Sequence, residues 1–189
     1  MKVFVIVLEN NLIAYQQLER FKLFAEKHKW TYSVFPAING NLIDDTVFIN
    51  EGLEINQESK FSKRPGAKGC FLSHWYLWKK CCEDQEPFLI MESDAVINGP
   101  MPSFNLDSVI KLHTDRGTNW SDVSGNWSKG SHAYVLSPSH AKQLIDNCKK
   151  ITLKPVDVIL GDKLINWRHF EYDLVSQVKL GKSTTSKMY

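Results

Sequence analysis

Nothing in this sequence is long and apolar enough to cross a bilayer. The longest unbroken apolar run is Val3 to Leu8, where a membrane-spanning helix needs ~18 residues. That run also lacks the length and small-residue cleavage site of a secretory leader, so a cytoplasmic location is expected. Cysteine is sparse and unpatterned. Cys70, Cys81, Cys82 and Cys148 include no Cys-x-x-Cys, and no paired second half follows Cys81-Cys82. They read as reduced thiols, mostly in the core. Excess charge is missing too: a net +2 gives no strong electrostatic case for nucleic acid or a membrane surface. Neither G-x-G-x-x-G nor a P-loop motif occurs, which counts against a plain dinucleotide or P-loop domain. There are no repeats. Low complexity is confined to a polar, basic tail from Lys179 to Tyr189.

What remains is an ordinary globular composition, 43% hydrophobic and 23% charged over 189 residues. That length fits one domain burying roughly 70% of its unfolded surface. Lys2 to Leu8 is β-branched and apolar, as a central strand requires, and Glu9-Asn10-Asn11 closes it. Leu18, Phe21, Phe24 or Ala25, and His28 follow at helical spacing, and Trp30 to Phe35 reads as the next strand, ended by Pro36. Together these predict one right-handed β-α-β unit. Residues 41 to 58 read mostly as loop, and residues 61 to 69 as a basic, flexible segment around Pro65-Gly66. A helix buried on more than one side is expected over Cys70 to Cys82. Asp107 to His113 reads as a short helix or turn, and the Gly-, Ser- and Asn-rich stretch 115 to 130 as a loop. His132 to Leu136 reads as a strand. Ser137 with Pro138 opens another helix, which buries Ala141, Leu144, Ile145 and Cys148.

The centre of the pattern is Pro87 to Pro100. Phe88 to Met91 reads as a buried strand, and it ends in Glu92-Ser93-Asp94. In extended chain the two acids face one side, ~6.6 Å apart at roughly 3.3 Å per residue. Carboxylates at the carboxyl end of a parallel strand lie where open α/β sheets bind ligands. Oxygen donors of this kind suit Mg²⁺ or Mn²⁺ and a phosphate group. The competing reading is a surface turn that happens to be acidic.

Four segments in order carry a resemblance: Phe35-Pro36-Ala37-Ile38-Asn39-Gly40, Gly69-Cys70-Phe71-Leu72-Ser73-His74, Leu89 to Ala95, and Ala133-Tyr134-Val135-Leu136-Ser137 on to Ala141. Pro155-Val156-Asp157 falls where a fifth is expected. No single motif is specific, but five in register resemble glycosyltransferase family 25, which includes lipooligosaccharide and collagen galactosyltransferases. The resemblance runs from about residue 3 to the C-terminus. It implies an α/β fold of the GT-A type, a Rossmann-like, mostly parallel mixed sheet flanked by helices. It also implies an inverting transferase that takes galactose or glucose from a UDP-sugar to a hydroxyl, on a lipopolysaccharide-type glycan for example, with Mn²⁺ or Mg²⁺. In that scheme Asp94 binds the ion that bridges the donor pyrophosphate, Glu92 holds the nucleoside side or a supporting position, and Asp157 is the base. Ser93, Arg64, Lys68, Ser73 and His74 fall on the donor side. His132, with His169, is a further metal candidate, and Trp120 and Trp127 are candidate platforms for an acceptor sugar.

Each assignment has a plainer alternative. His74 on an apolar helix reads equally as a hydrogen-bonded core residue, the basic loop as solvated surface, Asp157 as a helix N-cap, and the tryptophans as packing. The sequence also departs from the family. Where Glu-Asp-Asp is usual, Ser93 takes the middle place, and Asn98 to Gly130 is compressed where acceptor contacts are expected. Ser93 motivates a second reading, a catalytically weakened relative that binds a sugar nucleotide or glycan. Asn119-Trp120-Ser121 and Asn126-Trp127-Ser128 are glycosylation sequons on paper, silent in a cytoplasmic chain. Near-neutral charge argues mildly against a nucleic acid acceptor.

Overall fold

The computed structural model describes residues 1–113, 130–161 and 164–178. Trp120, Trp127, both sequons and the tail 179–189 lie outside them. β1 (Lys2–Val7), α1 (Leu12–Lys27) and β2 (Ser33–Pro36) form the expected β-α-β unit, with β1 and β2 parallel from Phe4 opposite Ser33 to Val7 opposite Pro36. Asn11 starts α1 earlier than the apolar periodicity indicates, its Oδ1 accepting from the Ala14 N–H at 2.9 Å. β3 (Phe88–Glu92) lies parallel to the other side of β1. Both strands are thus central, which is why neither alternates with polar residues.

β6 (Ala133–Leu136) runs antiparallel to β3, β5 (Val109–Lys111) antiparallel to β6, and β7 (Trp167–His169) parallel to β5. The result is a six-stranded mixed sheet in the order β2-β1-β3-β6-β5-β7. Alternation across the strands divides the core. Phe4, Ile6, Phe88, Ile90, Tyr134 and Leu136 face α3 (Pro65–Asp84), α4 (Pro138–Cys148) and α5 (Val156–Gly161). Val5, Val7, Leu89, Met91 and Val135 face α1. The fold is therefore α/β, with a mostly parallel sheet flanked by helices. Among the described residues no helix is long and apolar enough to cross a membrane.

Several local expectations change. Residues 109–111 are strand, because Val109, Ile110 and Lys111 are all buried between β6 and β7. The loop over 41–58 contains a short helix, α2 (Thr46–Asn50), anchored by fully buried Phe48. The basic segment is helical from Pro65 onward, since proline at the first helical position supplies the right φ and gives up an N–H that would be unpaired anyway. The acidic stretch is not extended throughout: β3 stops at Glu92, Ser93 and Asp94 turn, and β4 (Ala95–Ile97) leaves to pair antiparallel with β8 (Val175–Gln177). Glu92 and Asp94 therefore do not stand side by side along one strand.

Two family motifs meet in backbone contact. A Cβ on Gly69 would lie 2.3 Å from the Ile38 carbonyl oxygen and 2.7 Å from the Gly40 nitrogen. One on Gly40 would lie 1.7 Å from the Pro65 carbonyl oxygen. Ser73, one turn on, accepts from the Ile38 N–H at 2.9 Å and donates to the Gly69 carbonyl at 2.7 Å. Only glycine lets α3 sit this close to the Ala37–Gly40 segment. Gly69→Ala is expected to destabilise the fold by at least about 1–3 kcal/mol despite the better helix propensity of alanine. Gly99→Ala, whose Cβ would meet only Leu174 at 3.7 Å, should change little. Urea midpoints of the two variants test the pair.

Candidate active site

Glu92 ends β3 with its side chain 28% exposed, so its carboxylate is half-buried yet reachable. Its Oε1 accepts from the Ser131 hydroxyl at 2.5 Å, and its backbone N–H donates to the His132 carbonyl at 2.9 Å. From the helix side comes His74, fully buried on α3, with Nε2 at 3.7 Å from Glu92 Oε1. Behind it, Tyr134 Oη lies 2.7 Å from His74 Nδ1 and 2.8 Å from Trp78 Nε1. The indole N–H can only donate, so Tyr134 accepts it, while towards Nδ1 the same hydroxyl can give or accept according to the tautomer of His74. Burial works against the charge on Glu92, but His74, the Ser131 hydroxyl and His132 outweigh it and hold the carboxyl well below its ordinary range.

The turn that follows is gripped by α1. The Ser93 hydroxyl donates to Gln17 Oε1 at 2.9 Å, so the residue that replaces the usual middle acid is tied to this helix. One turn along, Arg20 Nη2 donates to the Val178 carbonyl at 2.6 Å and the Asp94 carbonyl at 3.4 Å. Asp94 accepts through Oδ2 from Gln177 Nε2 at 2.8 Å, and its carbonyl from the Val178 N–H at 3.1 Å. The acidic turn is therefore held between α1 and β8.

Cys70 reports what surrounds it. Burial pushes its thiol well up, and the carboxylates of Glu92, Asp157 and Asp94 push it further. Asp157, in the first turn of α5, accepts the Val158 N–H through Oδ1 at 3.0 Å. The charges of the two acids on either side of Ser93 and of the Asp of the fifth motif thus all act on one thiol of α3, although these acids are up to 65 positions apart.

Each of the other expected residues has its own setting. Lys68 pairs with Asp45 at 2.8 Å, which commits its ammonium to the loop before α2. Arg64 takes the N-cap position of α3 in extended backbone. Ser73 is fully buried in the contact between motifs described above and has both hydrogen bonds made there. The His132 ring packs against that of His113 at a tilt of 38°, with centroids 4.0 Å apart, and His169 donates from Nδ1 to the His113 carbonyl at 2.5 Å. Gly130, at φ +107, makes room for both rings, since a Cβ there would be 2.8 Å from His113 Nε2. His113, Ser131, Tyr134, Trp78, Gln17, Arg20 and Gln177 are not among the site residues the motifs point to. Only Tyr134 falls within one of them.

A family model, glycosyltransferase family 25 (LPS biosynthesis protein), matches residues 1–116. The chain belongs to glycosyltransferase family 25. A "Glycosyltransferase 25 family member" from Aedes aegypti is 36% identical over 66 residues, which are 32% of this chain and 11% of that protein. The match thus spans about a tenth of the length of this curated relative. The crystal structure of a glycosyltransferase involved in the glycosylation of the major capsid of PBCV-1 is also similar. It is 10% identical with a TM-score of 0.39, covering 78% of this chain and 67% of the other. A superposition this loose says nothing about the details of either site.

Because the Glu92 carboxyl is depressed in the folded chain, its charged interactions add stability above the ordinary carboxylate value of about 4.3. That contribution is lost as pH falls below this value towards the lower native one. Glu92→Gln should therefore lower the urea midpoint near neutral pH, with the gap from the parent chain narrowing at about pH 3. A gap that stays constant with pH would contradict the ionised, hydrogen-bonded carboxylate.

Proposed function

We propose that this family 25 glycosyltransferase moves a hexose, galactose or glucose, from a UDP-sugar to a hydroxyl, with inversion at the sugar. The acceptor we propose is a lipopolysaccharide-type glycan, which the family's description supports. The observation that carries the reading is that Glu92 meets Cys70 and His74 of the second motif, and that the charges of Asp94 and Asp157 also act on the Cys70 thiol. Inverting transfer needs two acidic functions in one place, one holding the donor's diphosphate through a cation and one accepting a proton from the acceptor. Asp157 takes the second role, as the base for the acceptor hydroxyl, a contribution of roughly 10²–10⁴ in rate.

The donor set fits a hard divalent ion. Glu92 is held ionised, and Asp94 follows it after one residue in a turn fixed from both sides. Carboxylate oxygens of this kind suit Mn²⁺ or Mg²⁺. When bound, such an ion would offset the charge that develops on the leaving diphosphate. The chain's own part is orientation. Trp78 and Tyr134 hold the His74 ring beside the Glu92 carboxylate, while Gln17 holds the Ser93 hydroxyl and Arg20 the Asp94 carbonyl. Arg64, at the N-cap position of α3 and with a planar fork of donors suited to two phosphate oxygens, is the basic residue we assign to the donor phosphates.

The alternative is a relative that binds a sugar nucleotide or glycan without turning it over, and Ser93 in place of an acid is its motive. The Ser93–Gln17 bond weighs against it, because the middle position is turned to α1 and its charge is the least missed. Asp94→Ala should reduce sugar transfer by roughly 10²-fold or more while leaving the melting temperature within a few degrees of the parent. Unchanged transfer would refute the assignment. Release of UDP from UDP-galactose or UDP-glucose with Mn²⁺ separates the two readings, since a pure binder releases none. If transfer occurs, Asp157→Asn should lower kcat far more than it raises KM for the donor.

A further inference from the structure

Cys70 and His74 are four residues apart on α3 and therefore project from one face of the helix. Glu92 meets them from the end of β3. The Cys70 Sγ, one ring nitrogen of His74 and one Glu92 oxygen all lie within 4.8 Å of one another. His74 is fully buried, and among the described residues its Nε2 has no hydrogen-bond partner. The 3.7 Å from this nitrogen to Glu92 Oε1 is beyond the roughly 2.7–3.2 Å of a hydrogen bond. It is instead close to the edge of a coordination polyhedron whose arms are about 2.0–2.2 Å. Behind the ring, Tyr134 Oη stands at Nδ1, the position where ligating histidines regularly find a fixed outer partner.

We infer that Cys70, His74 and Glu92 form a three-ligand site for a thiophilic divalent cation, Zn²⁺ by the chemistry of its donors, with a fourth position left for water. Sulfur, imidazole and carboxylate together favour zinc over the oxygen-preferring Mn²⁺ and Mg²⁺. On binding, the Cys70 thiol releases its proton to solvent. In the bound form the single ring proton of His74 sits on Nδ1, and the Tyr134 hydroxyl turns its own proton aside so that Oη accepts from both Nδ1 and Trp78 Nε1. Glu92 belongs both to this set and to the acidic turn, so a zinc ion here withdraws it from a hard ion at Asp94. The inference stands on the geometry of three side chains and does not depend on the transferase reading.

The test uses the full chain, stripped of metal and titrated with Co²⁺ alone as a spectroscopic stand-in for zinc. One equivalent should bind with a thiolate-to-cobalt charge-transfer band and tetrahedral visible bands. Cys70→Ser should abolish the charge-transfer band and weaken binding by at least the 10- to 100-fold that loss of a mere outer partner costs. Asp94→Asn should keep the band, which separates this site from the hard-ion site and leaves the result independent of any transfer activity. X-ray absorption on the zinc-loaded parent chain gives a variant-free readout, with one sulfur at about 2.3 Å among lighter ligands. No bound cobalt, a band that survives Cys70→Ser, or a shell of oxygen and nitrogen alone would overturn the inference.

Discussion

The site depends on one half-buried carboxylate kept charged. Glu92 sits where a central strand runs out, and desolvation alone would neutralise it. Ser131 and His132 at the start of β6 and His74 on α3 prevent that, so sheet and helix must both be in place before the charge is tolerated. Trp78 and Tyr134 hold the His74 ring from the core, with its Nε2 standing 3.7 Å from the carboxylate. A buried polar atom left unpaired costs the desolvation of its group, and among the described residues His74 Nε2 is such an atom.

The same logic explains why the first two motifs are rich in small residues. Gly40 and Gly69 touch through their backbones, and Ser73 closes the gap with two hydrogen bonds. This contact fixes where α3 begins, and so where Cys70 and His74 land one and two turns later. The glycines and Ser73 locate chemistry without performing it. A motif can thus be a packing device in its first half and a chemical one in its second.

Much of the fold was legible in the sequence because it rests on short-range periodicity. The β-branched run from Val3, the helical spacing from Leu18 to Ala25 and the Ser137-Pro138 start of α4 all fall within the elements their patterns indicate, although α1 begins earlier, at Leu12. Motif spacing also pointed to Glu92, Asp94 and Asp157. What escaped was set by contacts distant in sequence. Residues 109–111 look like turn or helix until β6 and β7 flank them. β4 is three residues long and exists only because β8 pairs with it. Gln17 lies among the buried residues of α1 and Arg20 beside them, and nothing local marks either as a partner of a turn more than 70 residues away. Lys68 looked available for phosphate because Asp45, 23 residues earlier, is not visibly its neighbour in the sequence.

β8 is a strap as much as a strand. Gln177 holds the carboxylate of Asp94, while Val178 takes the Arg20 guanidinium on its carbonyl and gives its N–H to the Asp94 backbone. Trimming the polypeptide back past residue 175 would leave the sheet standing but unbuckle the acidic bend from behind. Shortened versions chosen for good expression would then be well-folded proteins with a slack centre.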